Sequence, residues 1–185
     1  TAVDLLGKNA AARGTSAWVA GEQLFSNGYF EAPQQLTRRN IMAKLNQVID
    51  QKQSFSLSFS DFSSSWMASG QVPDRAVNAG LISRFGAIDN TEGGNTGRMN
   101  LNLIHFYTIS DKTWLKNQFY HSKYRFDLFS NFTFFLEDSI NGDQIRQREN
   151  RRMSGYNSTL QHQTRIGNKT LELEAGIQLR YDEAP

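Results

Sequence analysis

The sequence predicts an all-β chain, an antiparallel up-and-down meander of about seven strands, and three observations carry that reading. Alternation of period two recurs along the chain. Within 114–128, Tyr120, Ser122, Tyr124, Phe126 and Leu128 share one face, while His121, Lys123, Arg125 and Asp127 share the other. The first of these faces suits lipid or a core, and the second is strongly charged. The alternating segments are also long, reaching the roughly 9 to 11 residues that a tilted strand needs to cross a bilayer, where an ordinary strand has about 5 to 6. Finally, short and long connections alternate, as in a meander with its tight turns on one rim and its long loops on the other.

Each element has its own warrant. Residues 1–14 are small and Ala-rich without a clear period, and are expected as coil or a weakly paired strand end. The first strand, 16–25, sets Ala17, Val19 and Phe25 against Trp18, Glu22 and Leu24, and Asn27-Gly28 and Pro33 then supply turn chemistry. The second, 38–49, sets Ile41, Ala43, Leu45 and Ile49 against Asn40, Met42, Lys44 and Asn46. Helix is a rival there, because Ile41, Leu45, Val48 and Ile49 also fit a helical face. After the polar break at 50–52, the third strand opens on Ser54-Phe55-Ser56-Leu57-Ser58-Phe59-Ser60 and continues towards Trp66 and Met67. Its apolar parity switches near Asp61-Phe62, which predicts a β-bulge.

A long connection follows at 69–98, with one short helix expected after Pro73-Asp74 and a Gly-rich loop at 89–97. The fourth strand, 99–109, turns at 110–113 into the fifth, 114–128. A second long connection, 131–152, contains the turn Asn141-Gly142-Asp143 and a charged run at 146–152. The sixth strand, 156–166, is mostly polar. Gly167-Asn168 turns it into the seventh and cleanest, in which Leu171, Leu173, Ala175, Ile177, Leu179 and Tyr181 face away from Thr170, Glu172, Glu174, Gln178 and Arg180. A soluble antiparallel barrel or sandwich shares this pattern. Strand length, charged inner faces and aromatics near strand ends (Trp66, Tyr107, Trp114, Tyr181) favour part of a transmembrane β-barrel.

Composition narrows the function. The chain has 185 residues, with 20 Lys plus Arg against 18 Asp plus Glu and a net charge of +2. These basic residues are spread along the sequence, which argues against a nucleic-acid partner. The absence of Cys excludes disulfides and Cys-based metal centres. No apolar run has the length of a membrane helix and no signal-peptide pattern appears. The mean hydropathy of -0.55 taken alone indicates a soluble chain, and a barrel whose lumen face is polar would look the same. A start at Thr1 without an initiator Met is read as a processed chain or a fragment of a longer one.

Specific stretches carry a resemblance. Ser69-Gly70-Gln71-Val72-Pro73-Asp74-Arg75-Ala76-Val77, continued by Gly80-Leu81-Ile82-Ser83-Arg84-Phe85-Gly86-Ala87-Ile88-Asp89 and Thr91-Glu92-Gly93-Gly94, resembles a loop in the barrel of TonB-dependent outer-membrane receptors. Tyr124-Arg125-Phe126-Asp127-Leu128-Phe129-Ser130-Asn131-Phe132-Thr133 and Asn141-Gly142-Asp143-Gln144-Ile145-Arg146-Gln147 do so too. The resemblance spans about 17–182. It implies the bacterial outer membrane, a barrel of about 22 strands around an N-terminal plug, and uptake of a scarce ligand such as a ferric siderophore, cobalamin or another metal chelate, driven by TonB. Nothing in the chain resembles the plug or the TonB box. The whole of 1–185 is therefore expected to be part of such a barrel, partnered by the TonB complex through a plug outside this chain, by outer-membrane lipid and lipopolysaccharide, and by a small-molecule ligand. The rival readings are a passive outer-membrane pore or structural barrel, and a soluble β-sheet binding module.

No catalysis is expected, since no P-loop, dinucleotide-binding fingerprint or Ser-hydrolase elbow occurs. Glu172 and Glu174 read as lumen lining. Pairing Ile109 with Trp114 puts His105 opposite Gln118, so no cross-strand histidine pair forms a metal site. Residues 89–95 lack the oxygen spacing of a calcium loop. Arg146, Arg148, Arg151 and Arg152 read as a solvated loop, with an anionic ligand or lipopolysaccharide phosphate as the alternative. Arg75, Arg84, Asp89 and Glu92, polar groups on a long outer loop, are the candidate ligand contacts. No cofactor is expected.

Overall fold

The computed structural model describes residues 2–6, as backbone, and 14–184. It contains one eight-stranded antiparallel sheet in which every strand pairs with its neighbours in sequence. The strands are β1 (Ala2–Leu6), β2 (Gly14–Ser26), β3 (Leu36–Val48), β4 (Gln53–Met67), β5 (Gly93–Ser110), β6 (Thr113–Ser130), β7 (Ile145–Ile166) and β8 (Lys169–Glu183), with one short helix, α1 (Asp74–Asn78). Of the stretch expected as coil or strand end, Ala2–Leu6 pairs with β2 and the rest up to residue 13 lies outside the described residues. β1 and β8 are the sheet edges among the described residues.

Ladder register assigns every strand side chain to one of two faces. One face carries an apolar row that crosses six strands: Leu45, Leu57, Leu103, Phe119, Tyr156 and Leu179 are successive partners from β3 to β8. Ala43, Phe59 and Leu101 lie one row nearer the long loops. The opposite face is a polar ladder. Asn100 donates to the Ser60 hydroxyl at 3.0 Å and accepts from Ser122 at 2.9 Å, Gln118 donates to Asn102 at 2.7 Å, and Gln161 and Gln163 donate to Glu174 and Glu172 at 2.6 and 3.0 Å. Among the described residues no second layer covers either face. Among the described residues no hydrophobic side chain is buried, and the chain exposes 13247 Å², against about 9000 Å² for an ordinary folded monomer of 21.0 kDa.

Several boundaries differ from the sequence reading. β5 begins at Gly93, so 93–98 is strand: Met67, Gly93 and Phe129 are register partners across three strands. Close approach explains the glycine there, because Gly93 has φ +147° and a Cβ would collide with the Trp66 carbonyl. β7 begins at Ile145, so the charged run 146–152 is strand rather than loop, and Arg146 reaches Asp127 at 2.7 Å. No bulge occurs at Asp61-Phe62, where pairing with both neighbours is unbroken; Phe62 and Trp66 simply lie on the polar face. The irregularity falls at Thr108/Ser110 instead, and the resulting offset places His105 opposite Asn117.

β6 reverses the expected faces. Tyr120, Ser122, Tyr124, Phe126 and Leu128 lie on the polar side, with Asn100 and Asn102. Lys123, Arg125 and Asp127 continue the apolar side beyond its apolar rows. The strand outruns the apolar band, and within it composition changes along the strand as well as across it. The rival helix at 38–49 is absent, since β3 is paired on both sides.

Candidate functional site

The connections 27–35, 68–92 and 131–144 emerge at one end of the sheet, opposite the tight turns. They are tied to one another. Glu31 N–H donates to Phe85 O at 3.0 Å, Met67 N–H to Gln34 O at 2.7 Å, and Ala68 N–H to Glu92 O at 2.9 Å. The Tyr29 ring stacks on Phe30 at 4.7 Å and meets Phe85 edge-on at 5.5 Å. Three loops thus form one cluster instead of three separate tips.

Two carboxylates organise its centre. Asp89 accepts from the Thr91 N–H at 2.9 Å and hydroxyl at 2.5 Å, from Asn131 Nδ2 at 3.0 Å and from Gln144 Nε2 at 3.4 Å. Gln144 Nε2 also bonds the Thr91 hydroxyl at 2.7 Å. Desolvation raises the Asp89 pKa, but the donors from Thr91, Asn131 and Gln144 together outweigh it and hold the carboxyl below its ordinary value. Glu92 behaves oppositely. It is 6% exposed, its Oε1 has no partner, and burial followed by repulsion from Asp89 raises its pKa despite a bond from the Asn131 backbone. Gly70, at φ +64°, makes room for it, because a Cβ there would overlap the Glu92 carboxylate.

Asn131, 3% exposed, is the hinge pin between the loops, since its Oδ1 also accepts from Phe134 N–H at 2.8 Å. Further along, the Asp143 carboxylate accepts from the backbone N–H groups of Leu136, Glu137 and Asp138 at 2.7–3.1 Å. Those donors lower its pKa to about 2.

The four expected ligand contacts therefore separate. Asp89 and Glu92 come together inside the loop cluster, whereas Arg75 on α1 and Arg84 are exposed and make no ion pair among the described residues. Sequence reasoning missed Asn131 and Gln144, whose only signal is a polar residue near the mouth of a loop. It also missed a cavity of about 490 Å³ on the polar face, lined by Arg98, Tyr124, Glu149, Arg151 and Arg180. The sequence predicts loops at Arg98 and Arg151. Arg98, Tyr124 and Arg151 are instead register partners across β5, β6 and β7. Glu149 is paired with Arg151 at 3.1 Å and Asp182 with Arg180 at 2.6 Å, and Arg98 has no carboxylate partner among the described residues.

The histidines do not converge. His105 faces Asn117, His121 faces Ser154 at 2.8 Å and His162 faces Thr113 at 2.8 Å. Among the described residues no group of three or more His, Asp or Glu is placed to hold a metal ion. Among the described residues no helix is long and apolar enough to cross a membrane, which says nothing of strands.

A single-layer meander with one apolar face, one polar face and its long loops gathered at one end has the fold of a barrel-wall segment. The same fold occurs in the ferric-catecholate import receptor Fiu from E. coli K12, in its open form, with a TM-score of 0.65 over 98% of this chain at 11% identity. The chain spans 31% of that receptor. No family model matches the sequence, and no curated protein matches it.

Proposed function

We propose that this chain is part of the wall of an outer-membrane active transporter, with the polar face lining the lumen, the apolar face against lipid and the long loops outside the cell. The observation that carries the reading is a sheet of eight strands with no buried hydrophobic residue among the described residues, which needs lipid on its apolar side to be stable. Dimensions agree: the apolar positions of β8 from Leu171 to Tyr181 cover about 33 Å of strand, or about 25 Å of bilayer normal at a tilt of about 40°.

The transported ligand on this reading is a scarce anionic chelate such as a ferric siderophore. Arg75 and Arg84 meet it at the loops, Arg98 and Tyr124 on the wall below, while Asp89 holds the loop in place with Glu92 buried beside it. Charge-assisted hydrogen bonds from arginine suit the anionic oxygens of such a ligand. TonB engages the whole protein through a plug, and this segment changes no covalent bond.

The test is uptake of radioactive iron, supplied as a ferric catecholate, by iron-limited cells with and without the gene. Gene-dependent uptake that stops when the proton gradient is dissipated is expected. Gene-dependent uptake that persists without the gradient identifies a passive pore, and absence of the protein from the membrane fraction identifies a soluble module.

A further inference from the structure

A polar island interrupts the apolar face. His105, Asn117 and Ser158 are successive register partners on β5, β6 and β7. Phe119 and Tyr156 stand above them on the side of the long loops, Leu115 and Leu160 below, and Phe55 and Ile177 at the two ends of the row. Apolar and aromatic side chains thus ring the three.

The island is held together by its own hydrogen bonds. Asn117 Oδ1 accepts from the Tyr156 hydroxyl at 2.7 Å and from the Ser158 hydroxyl at 2.9 Å, and Asn117 Nδ2 donates to His105 Nδ1 at 3.4 Å. The Phe55 ring stacks on His105 at 4.4 Å. These bonds leave capacity of both kinds unused. His105, accepting at Nδ1, carries its proton on Nε2, which has no partner. Asn117 keeps a second N–H, and the Tyr156 and Ser158 oxygens keep lone pairs. In hydrocarbon such groups are costly until they find a partner, and polar side chains at membrane depth face protein or water.

Two features select the partner. The unused groups include donors and acceptors in one patch, so the patch complements itself, as a two-fold contact between identical chains requires. Two copies related by an axis along the membrane normal also present it at one depth. The patch is moreover compact. Walls whose strands tilt about 40° cross at about 80° where two barrels meet, so they touch around one point instead of along a seam. Lys123, on the same face six residues up β6 from Asn117, then lies about 20 Å along the strand from the contact and about 26 Å from its own copy, beyond the range of their repulsion.

We infer that this patch is the contact between two copies of the protein in the membrane, with the free N–H of Asn117 in each copy meeting a hydroxyl oxygen of the other. The inference rests on the transporter reading, in which this face lies in the bilayer, and gives one patch of it to protein instead of lipid. Three strands by three rows, about 10 Å by about 14 Å, fall far below the about 800 Å² per partner of a stable dimer in water. Association is therefore an equilibrium set by protein concentration in the membrane.

The test uses the full-length protein that contains this chain, labelled in separate batches with donor and acceptor fluorophores and reconstituted into phosphatidylcholine vesicles at a series of protein-to-lipid ratios. Energy transfer is expected to rise with that ratio and saturate at the level of a dimer. Asn117→Leu should raise the ratio at half-association about tenfold, the loss of hydrogen bonding between the copies, and Lys116→Gln on the polar face should change nothing. Asn117→Leu also takes the acceptor from two hydroxyls, so a second measurement leaves the network's asparagine in place. In native membranes treated with copper phenanthroline, and with no other cysteine present, Ser158→Cys should give a disulfide-linked dimer, whereas Ala43→Cys, on the same face of β3, should not. Energy transfer no greater than random proximity gives, equal crosslinking at Ala43, or a Ser158 crosslink to a protein of another mass overturns the second copy as occupant. Membrane fractionation separates the causes. A membrane-embedded protein that stays monomeric overturns only this contact, and a protein outside the membrane overturns the transporter reading with it.

Discussion

Leu103 sits in the middle of the apolar row, between Leu57 on β4 and Phe119 on β6, and is 37% exposed. Replacing it by Arg asks what that exposed surface touches. If it touches hydrocarbon near the midplane, the guanidinium costs about 2 to 4 kcal/mol, a fall of about 30-fold to about 900-fold in the folding equilibrium constant. If it touches water, a substitution at a third-exposed position on an uncovered face costs within about 0.5 kcal/mol. The two cases are separated by urea titration of the full-length protein folded into phospholipid vesicles, with Tyr107→Arg as the control. Tyr107 lies four residues nearer the tight turn, where the same charge is expected to cost about 0 to 1 kcal/mol. Equal, small losses at both positions would refute the assignment of this face to lipid.

The loop cluster supplies further expectations. Asn131→Ala removes bonds to Asp89 and to Phe134 N–H from a buried position and should cost about 1 to 3 kcal/mol locally, seen as faster protease cleavage in both 68–92 and 131–144; cleavage confined to one loop contradicts the coupling. Glu92 has a raised pKa, so its contribution to stability is full below the ordinary value of 4.5 and is lost as pH rises through the folded-state value. Glu92→Gln should therefore protect the loop at pH 7 and change little at pH 4, measured by amide hydrogen exchange. Asp89 is shifted the other way, so its contribution is present above 3.8 and disappears as pH falls through the lowered value; Asp89→Asn should abolish that acid dependence. Arg98→Gln should weaken binding of a ferric catecholate about tenfold, one charge-assisted hydrogen bond, as read by tryptophan fluorescence quenching, while Lys112→Gln at the opposite rim should not.

Much of the wall was legible because period two survives wherever a face meets one environment along its length. The serine–aromatic alternation of 54–60 and the leucines of 171–179 fixed strand and face together. Legibility failed where composition changes along a strand. The glycines at 93–97 and the arginines at 146–152 read as loop, yet 93–97 is paired on both sides and 146–152 is paired with β6 as the ladder runs past the apolar band. Trp66 and Phe62 imitated a register fault for the same reason: an aromatic on the polar face looks like a parity switch when no neighbouring strand is known. In the site, Asp89 and Glu92 were visible as loop carboxylates. Their connection to Asn131 and Gln144 was not, since it spans 42 and 55 residues of sequence and is set by which loops share a rim.

The central claim is that one face of the sheet meets lipid and the other meets water. The chain contains no cysteine, so within this segment each introduced thiol reports its own position. Single cysteines at 100–103 on β5 and at 171–174 on β8, treated in intact membranes with a water-soluble maleimide, test the claim directly. Strict alternation is predicted, with 100, 102, 172 and 174 labelled and 101, 103, 171 and 173 protected. Uniform labelling, or the opposite alternation, would contradict the account.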